Sequence, residues 1–303
     1  PPRSTLFPYT TLFRSGGTIS LQLLPGSRID VELRAVEKDI LGIEKATEKK
    51  FTVENPMPGG ITAICLGPGG QTLYAATEKG WIGRWDVSGE GNGRLIEKLE
   101  AFTDHRKITA LTTVLGGTSL AVGDDKGEIT TWMPVATPGR GEDKHLALIH
   151  RLPGLKDPVN ILLSSPRDKS LAAIDGKGKI RIVHMTSERL LLKLDAGMPV
   201  TGAAFASRGR ELVVAGPEGK FVAWKLSIPH PETSLGTLVG KVWYEGYPKP
   251  EYVWQSSAAT DDFEPKLSLI PLIFGTFKAT LFAMLFRSEE RRVGKECRSR
   301  WAT

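Results

Sequence analysis

The pattern of hydrophobic and polar positions repeats four times between residues 61 and 226. Each unit opens with a β-branched residue in an apolar run, has a glycine 19 positions later, and has an apolar residue, mostly tryptophan, 24 positions after its start. The starts are Ile61, Ile108, Val159 and Val200; the glycines are Gly80, Gly127, Gly178 and Gly219; the last positions are Trp85, Trp132, Val183 and Trp224. A period of about 40–50 residues is typical of a chain built from stacked repeats.

Each unit reads as a series of β-strands. An apolar strand such as ITAICL is followed by a turn, a second strand and a tight polar turn that ends in the glycine, because hairpin turns favour a residue that tolerates positive φ. A third strand such as WIGRWDV alternates with the period of a strand, and three units continue into a fourth strand. Four strands in a unit of this length resemble a WD-like β-propeller blade. We expect an all-β propeller with about four visible blades over residues 59–240.

Residues 16–58 lie outside the repeats, yet they contain strand-like stretches such as TISLQLL and IDVEL. We expect them to be the end of an upstream blade, or a segment that leads into the first repeat. Since fewer than four blades rarely close a ring, we also expect further blades upstream. The blade left at the edge would then favour association.

The two ends of the chain match each other through the genetic code. When residue 1 faces residue 301, and so on to residue 15 facing residue 287, all 15 pairs can be encoded by reverse-complementary codons. Pro1 as CCA, for example, faces Trp301 as TGG. This inverted repeat resembles translated sequencing-adapter DNA. We therefore expect residues 1–15 and 287–303 to derive from an adapter, and we leave them out of the fold prediction.

Net charge and cysteine content change once the ends are set aside. The chain carries a formal charge of +6, of which residues 1–15 supply +2 and residues 287–303 supply +3, which leaves about +1. Basicity is therefore no argument for a nucleic-acid partner, and we expect none. Cys297 lies in the excluded end, and Cys65 alone cannot form an intramolecular disulfide. We expect Cys65 in the core.

No motif of a catalytic or metal site stands out. Asp124 and Asp125 fall in a predicted hairpin turn, where aspartate bonds the local backbone, and Asp261 and Asp262 mark a polar boundary. GRGEDK (139–144) follows no strand–helix pattern, so we expect a loop. The histidines share no ligand spacing; they are His105, His145, His150, His184 and His230. We expect the repeat tryptophans in blade cores, and we predict no catalytic, cofactor-binding or metal-binding residue, no cofactor, and no assigned substrate-binding residue.

The composition changes after the last repeat. Residues 241–266 are rich in aromatic residues, proline and small polar residues, which predicts an extended linker. Residues 267–286, LSLIPLIFGTFKATLFAMLF, contain one charge, Lys278, and would span about 30 Å as a helix. A charge at the bilayer centre is costly, and Pro271 disfavours an early helix start. We therefore expect a membrane helix that begins near Thr276 and keeps Lys278 at the interface.

The stretch EYVWQSSAATDDFEPKLSLIPLIFGTFKATLFAMLF (251–286) resembles the start of the membrane module of the phosphate ABC transporter permease, the PstC-type subunit. The likeness is to the long proteobacterial form, which carries a WD-like insertion. It implies that the chain is a fragment of a permease for inorganic phosphate, and that residues 267–286 begin a truncated transmembrane α-helical module. The propeller would be periplasmic and the protein would lie in the bacterial inner (plasma) membrane.

The resemblance also implies partners. They are a second permease subunit, an ATP-binding subunit that hydrolyses ATP, and a periplasmic phosphate-binding protein. The fragment would not transport phosphate alone, and we predict no enzyme activity of its own.

Two other classes of function stay open. One is a soluble WD-like propeller scaffold for protein–protein interaction, with the apolar tail as a packing helix. The other is a propeller enzyme whose active-site strands lie upstream. Membrane partitioning would separate the transporter from both.

Overall fold

The computed structural model describes residues 9–14, 17–24, 27–38, 44–88, 91–136, 144–258 and 263–300. Side chains are described for residues 19–24, 27–34, 47–88, 91–136, 144–258 and 263–286, apart from residues 68 and 207. Strands dominate these residues, and antiparallel sheets follow one another along the chain.

Five of these sheets are meanders, in which strands adjacent in sequence are adjacent in space. Blade 1 contains β1 (Tyr9–Arg14), β2 (Gly17–Leu24), β3 (Arg28–Lys38) and β4 (Glu44–Val53). Blade 2 contains β5 (Ile61–Leu66), β6 (Thr72–Thr77), β7 (Trp81–Asp86) and β8 (Arg94–Glu100). Blade 3 contains β9 (Ile108–Thr113), β10 (Leu120–Asp124), β11 (Ile129–Ala136) and β12 (Lys144–Leu152).

Two further blades complete the stack. Blade 4 contains β13 (Val159–Ser164), β14 (Ser170–Asp175), β15 (Lys179–His184) and β16 (Leu190–Asp195). Blade 5 contains three strands, β17 (Gly202–Ala206), β18 (Glu211–Ala215) and β19 (Phe221–Lys225). The first strands of blades 2 to 5 lie next to one another, as the innermost strands of a propeller do.

Repeat position determines which neighbouring blade a side chain meets. Ile82, Ile129 and Ile180, each 21 positions into its unit, are at most 1% exposed and pack against the next blade. Trp85 and Trp132, three positions later, are buried against the preceding blade. We call these two sides of a blade its forward and backward faces. Blades 2, 3 and 4 are covered on both, and the prediction of core tryptophans is confirmed for Trp85 and Trp132.

The repeat glycine is needed for its φ and, in blades 2 to 4, also for its small size. All four repeat glycines have positive φ, as Gly178 does at 90°. A Cβ on Gly178 would lie 2.1 Å from Met198 O, in the connection to the next blade. That connection is bonded to the same turn, because Ala196 N donates to Gly178 O over 2.9 Å.

A side-chain oxygen three positions before the glycine closes the same turn. In blade 3, Asp124 Oδ1 accepts from the backbone N–H groups of Lys126 and Glu128, at 2.9 and 2.8 Å. Asp175 makes the equivalent pair of bonds in blade 4. The turn assigned to Asp124 from the sequence is confirmed.

Threonine side chains link the innermost strands of neighbouring blades. Thr62 Oγ1 donates to Ile108 O over 2.6 Å, and Thr109 Oγ1 donates to Val159 O over 2.6 Å. Both threonines occupy the second position of a repeat unit. The same residue position therefore joins blade 2 to blade 3 and blade 3 to blade 4.

The N-terminal segment forms a more complete sheet than the sequence predicted. We predicted about four visible blades over residues 59–240, with residues 16–58 as the end of an upstream blade or an entry segment, and the structure forms a four-stranded sheet from β1 to β4 ahead of them. The sequence of blade 1 does not show the repeat pattern, because only one face of this blade is apolar. β1 includes residues from the predicted adapter segment 1–15, and the adapter origin of both ends stays a prediction.

The region after blade 5 also differs from its prediction. It contains α1 (Leu235–Val239), β20 (Trp254–Gln255), β21 (Lys266–Leu267) and α2 (Ile270–Arg300). Residues 241–266 were expected to be an extended linker, but their described part is folded against the blades. Helix α2 begins at Ile270 rather than near Thr276, because proline is tolerated in the first turn, where its missing N–H has no helical partner.

Candidate functional site

Residues 227–258 and 263–269, which we call the strap, cross one side of blades 3 and 4. The strap contacts the blade turns on that side, which connect the first strand to the second and the third strand to the fourth. Arg189 Nη1 donates to Thr233 O over 2.5 Å and to His230 O over 3.2 Å. Ser187 Oγ donates to Pro231 O over 2.7 Å. Blade turns thus bond the strap backbone directly.

A buried histidine fastens the middle of the strap. His150, 5% exposed, lies 3.0 Å through Nε2 from Trp243 O and 2.9 Å through Nδ1 from Glu188 Oε1. Both neighbours are hydrogen-bond acceptors, and the His150 ring lies between them. The strap is therefore joined to β12 through the His150 side chain.

A second cluster of ionisable groups is buried beneath blade 4. Lys169 is 4% exposed, and its Nζ donates to Leu115 O of blade 3 and to the carboxylate of Glu245 in the strap. Thr186 Oγ1 donates to Glu264 Oε2 over 2.7 Å. Lys169 therefore connects blade 3, blade 4 and the strap, and its charge is compensated as a buried ammonium requires.

Burial shifts the pKa values of a neighbouring pair in opposite directions. It lowers the pKa of His184 to about 4. It raises the pKa of Glu264 to about 7, against the opposing effects of the Thr186 hydroxyl and the Lys169 charge. His184 Nε2 lies 3.5 Å from Glu264 Oε1. His184 is therefore neutral at pH 7, and this contact is not an ion pair.

These groups line a cavity of about 370 Å³ between the strap and the blades. Its polar lining includes Arg167, Lys169, His184 and Glu264. Ser187 Oγ lies 3.2 Å from His184 Nδ1, which superficially resembles a Ser–His–Glu triad. The geometry does not activate Ser187, because its hydroxyl proton is donated to Pro231 O and its own backbone N–H occupies Nδ1. The cluster is built to attach the strap.

A charged network lies at the opposite ends of the strands. Arg106 contacts Asp104 at 2.8 Å, Asp124 at 3.0 Å and Glu128 at 2.6 Å, and its guanidinium lies 4.9 Å from the centre of the Phe102 ring. The arginine forms ion pairs with these carboxylates and joins a blade connection to a turn. Within the part of the chain that the structure describes, no three His, Cys, Asp or Glu side chains converge as metal ligands.

The other residues singled out in the sequence are widely separated. Cys65 is half-buried rather than fully buried, and burial raises the pKa of its thiol to about 11. Trp224 is half-buried between blades 4 and 5. Asp261, Asp262 and all but Lys144 of the GRGEDK loop lie outside the described residues. His150 and His184 were missed as strap contacts because their partners come from the far end of the chain, with no spacing that signals the pairing.

Helix α2 carries the largest exposed apolar surface of the described chain. Every residue from 272 to 286 is exposed, with Phe274 65%, Phe277 67% and Phe286 67% accessible. The hydroxyls of Thr276 and Thr280 bond to carbonyls of the same helix. Among the described residues, no helix combines the length and apolarity required to cross a membrane.

Comparison with solved structures identifies the fold. The chain superposes on the computationally designed protein Ika8 with a TM-score of 0.50 and 17% identity, covering 72% of this chain and 71% of that one. It superposes on the β-propeller domain of Cps50 (Swd1) from Myceliophteria thermophila with a TM-score of 0.51 and 15% identity, covering 70% of this chain and 80% of that one. No protein-family model and no curated protein matches the chain. The protein has a β-propeller fold similar to these two structures.

Proposed function

We propose that this chain is a WD-like β-propeller scaffold that binds a protein partner through α2. The observation that carries the proposal is the run of exposed apolar side chains along α2, Leu272 to Phe286. Contiguous apolar surface of this kind marks an interaction site in a folded protein. Burying each large apolar side chain contributes roughly 1.5–3 kcal/mol, so a groove that covers several of them supplies substantial affinity.

The strap supports this function by giving α2 a fixed origin. Leu269 N donates to Leu238 O of α1 over 2.7 Å, and Ser268 N donates to Val253 O over 3.0 Å. Both bonds lie immediately before α2, and the strap is held by His150 and Lys169. The propeller thus presents the helix from a rigid base, which lowers the entropy lost on binding.

A photo-crosslinking amino acid at position 277 tests the proposal. Phe277 is aromatic and exposed, so p-benzoyl-phenylalanine fits there, and Tyr252 on the strap, 40% exposed, is the matched aromatic control. In cells, we expect irradiation to give one discrete adduct that contains a second protein from position 277 and not from position 252. The same adduct pattern from both positions, or no protein adduct from position 277, would contradict the scaffold.

The second candidate is the fragment of a phosphate importer permease, because the same apolar helix follows the stretch that resembles that family. In this proposal lipid and the other membrane helices cover α2, and a second permease subunit, an ATP-binding subunit and a phosphate-binding protein complete the importer. Lys278 weighs against it, since a charge inside a bilayer costs about 2.5–3.5 kcal/mol, whereas a protein groove can leave it at its rim.

Membrane fractionation separates the two candidates. The scaffold predicts that alkaline carbonate extracts the chain from membranes and that position 277 crosslinks to protein. The permease predicts a carbonate-resistant chain that crosslinks to lipid. It also predicts several hydrophobic spans after Phe286 in the uninterrupted genomic reading frame, and growth impaired by gene deletion when phosphate is limiting.

A further inference from the structure

The forward face of blade 5 has the pattern of an interface but is uncovered. Phe221 is the residue 21 positions into its unit, where Ile82, Ile129 and Ile180 are at most 1% exposed, yet Phe221 is 70% exposed. Ala204, Val213 and Ala223 are cross-strand partners on the same face, and both alanines are exposed. This face is a bed of small apolar side chains with one protruding aromatic ring, and the cross-strand pair Glu211 and Lys225 adds opposite charges at one end of it.

The hydrogen bond that links the innermost strands of neighbouring blades is also missing on the forward side of blade 5. Thr201 occupies the position of Thr62 and Thr109, which donate to the next blade. Its hydroxyl makes only the contact within its own blade, to Ala215 O at 3.2 Å, which Thr62 and Thr109 also make to Ala76 O and Gly123 O. Blade 5 therefore has the apolar positions of the inner blades on its forward face, and it has the threonine hydroxyl donor. No further blade follows it in the described chain.

Blade 1 cannot cover this face. The backward face of blade 1 carries polar side chains on β2, β3 and β4, namely Ser20, Gln22, Asp30, Glu32, Arg34, Glu48, Lys50 and Thr52. Placing Phe221 against Glu32 and Arg34 would desolvate charges without compensating bonds. Head-to-tail stacking of two copies is disfavoured for the same reason.

We propose that the forward face of blade 5 binds the same face of a second copy of this chain, as a symmetric sheet-on-sheet dimer. Two-fold symmetry sets each face against an identical surface, so the Phe221 ring of one protomer rests on the alanine bed of its partner. Sheets packed face to face lie about 10 Å apart with interdigitating side chains, as the forward faces of blades 2 to 4 already do within the chain. This dimer is independent of any partner bound by α2.

Sedimentation equilibrium of the full chain tests the dimer. We expect a monomer–dimer equilibrium that Phe221→Asp weakens about 100-fold or more, because a carboxylate would be buried in each half of an apolar interface. Phe221→Ala should weaken it less. Ile96→Asp, on the outer strand of blade 2 at an apolar position that is 43% exposed, is the matched control and should leave it unchanged.

Self-association through α2 is separated by two further variants. Phe277→Asp should preserve the dimer, and loss of the dimer there would overturn the proposal. In a Cys65→Ser, Cys297→Ser background, Ala223→Cys should form an intermolecular disulfide, whereas Gln22→Cys on the backward face of blade 1 should not. A monomeric wild-type chain at all concentrations, or equal crosslinking at both positions, would also overturn it.

Discussion

The two end blades of this propeller present opposite chemistry at equivalent places. The backward face of blade 1 is a ladder of charges, with Lys50 Nζ 3.2 Å from Glu32 and 3.0 Å from Glu48, and Arg34 3.4 Å from Glu48. The forward face of blade 5 is mostly apolar, with Phe221 70% exposed and one pair of opposite charges, Glu211 and Lys225, at its end. Stacked blades need apolar surface only where another layer covers them. The exposed face of blade 1 is therefore suited to contact with water, whereas the exposed face of blade 5 is the one that we propose as an interface.

The largest effect should come from an inner blade. Trp132 is 6% exposed and packs edge-on against Phe102, with ring centres 6.5 Å apart. Trp132→Ala should lower the free energy of unfolding by about 3–5 kcal/mol, because it leaves a cavity between blades 2 and 3. Urea denaturation measures it, and a neutral result would place Trp132 on a surface.

The next two variants change the same repeat position, 21 residues into the unit. It lies on a covered face in blade 4 and on an exposed face in blade 5. Ile180→Ala should cost about 2–4 kcal/mol, because Ile180 is 1% exposed between blades 4 and 5. Phe221→Ala at dilutions where the chain is monomeric should cost less than about 0.5 kcal/mol. Equal losses in chemical denaturation would mean that Phe221 is covered within its own chain.

The strap should respond to pH through Glu264. A carboxyl whose pKa rises to about 7 on folding lowers stability as pH increases from about 4.5 to 7, because the folded state must give up a proton that it holds more tightly than the unfolded state. Glu264→Gln mimics the protonated acid. It should match the wild type near pH 5 and be more stable at pH 8, by up to about 3 kcal/mol.

His184 supplies the opposite slope in the same experiment. Its pKa is lowered to about 4, so protonation on acidification removes stability between about pH 6.5 and 4. The two slopes oppose each other below pH 6.5, which is why the variant is compared with the wild type at pH 5 and pH 8. A variant that tracks the wild type at both pH values would contradict the raised pKa of Glu264.

The smallest expected effect is the difference in stability loss between two threonine variants. Thr109→Val removes the contact to Gly123 O in its own blade and the bond to Val159 O in the next blade, and should cost about 1 kcal/mol. Thr201→Val removes only a bond within blade 5 and should cost less, since the site is exposed to water. Thermal unfolding of the two variants measures the difference. A larger loss for Thr201→Val would show that its hydroxyl has a partner beyond blade 5.

The repeated residues made most of the propeller predictable from sequence. Gly178 and its equivalents mark turns because backbone geometry requires glycine there, and Trp132 marks a buried face because the position recurs. Blade 1 was recognised only as strand-like, since Ile19 and Leu21 alternate with polar residues and match no repeat. Repetition also could not show that Phe221, at a core position, lies on an uncovered face.

The strap was the part least accessible from sequence. Lys169 and Glu245, like His150 and Trp243, are brought together by the fold after long separations in the chain. Such pairs leave no local period, and composition alone predicted an extended linker. Proline and small polar residues indicate that a segment is not helical or strand-like, but not what it packs against.

The difference between the two end faces is tested most directly by thiol labelling at increasing protein concentration. Ala223→Cys on blade 5 and Gln22→Cys on blade 1 are compared in the Cys65→Ser, Cys297→Ser background. We predict that labelling at position 223 slows at least about tenfold as the dimer of the two blade 5 faces forms, while labelling at position 22 stays constant. Equal rates at all concentrations, or slowing at position 22 alone, would contradict it.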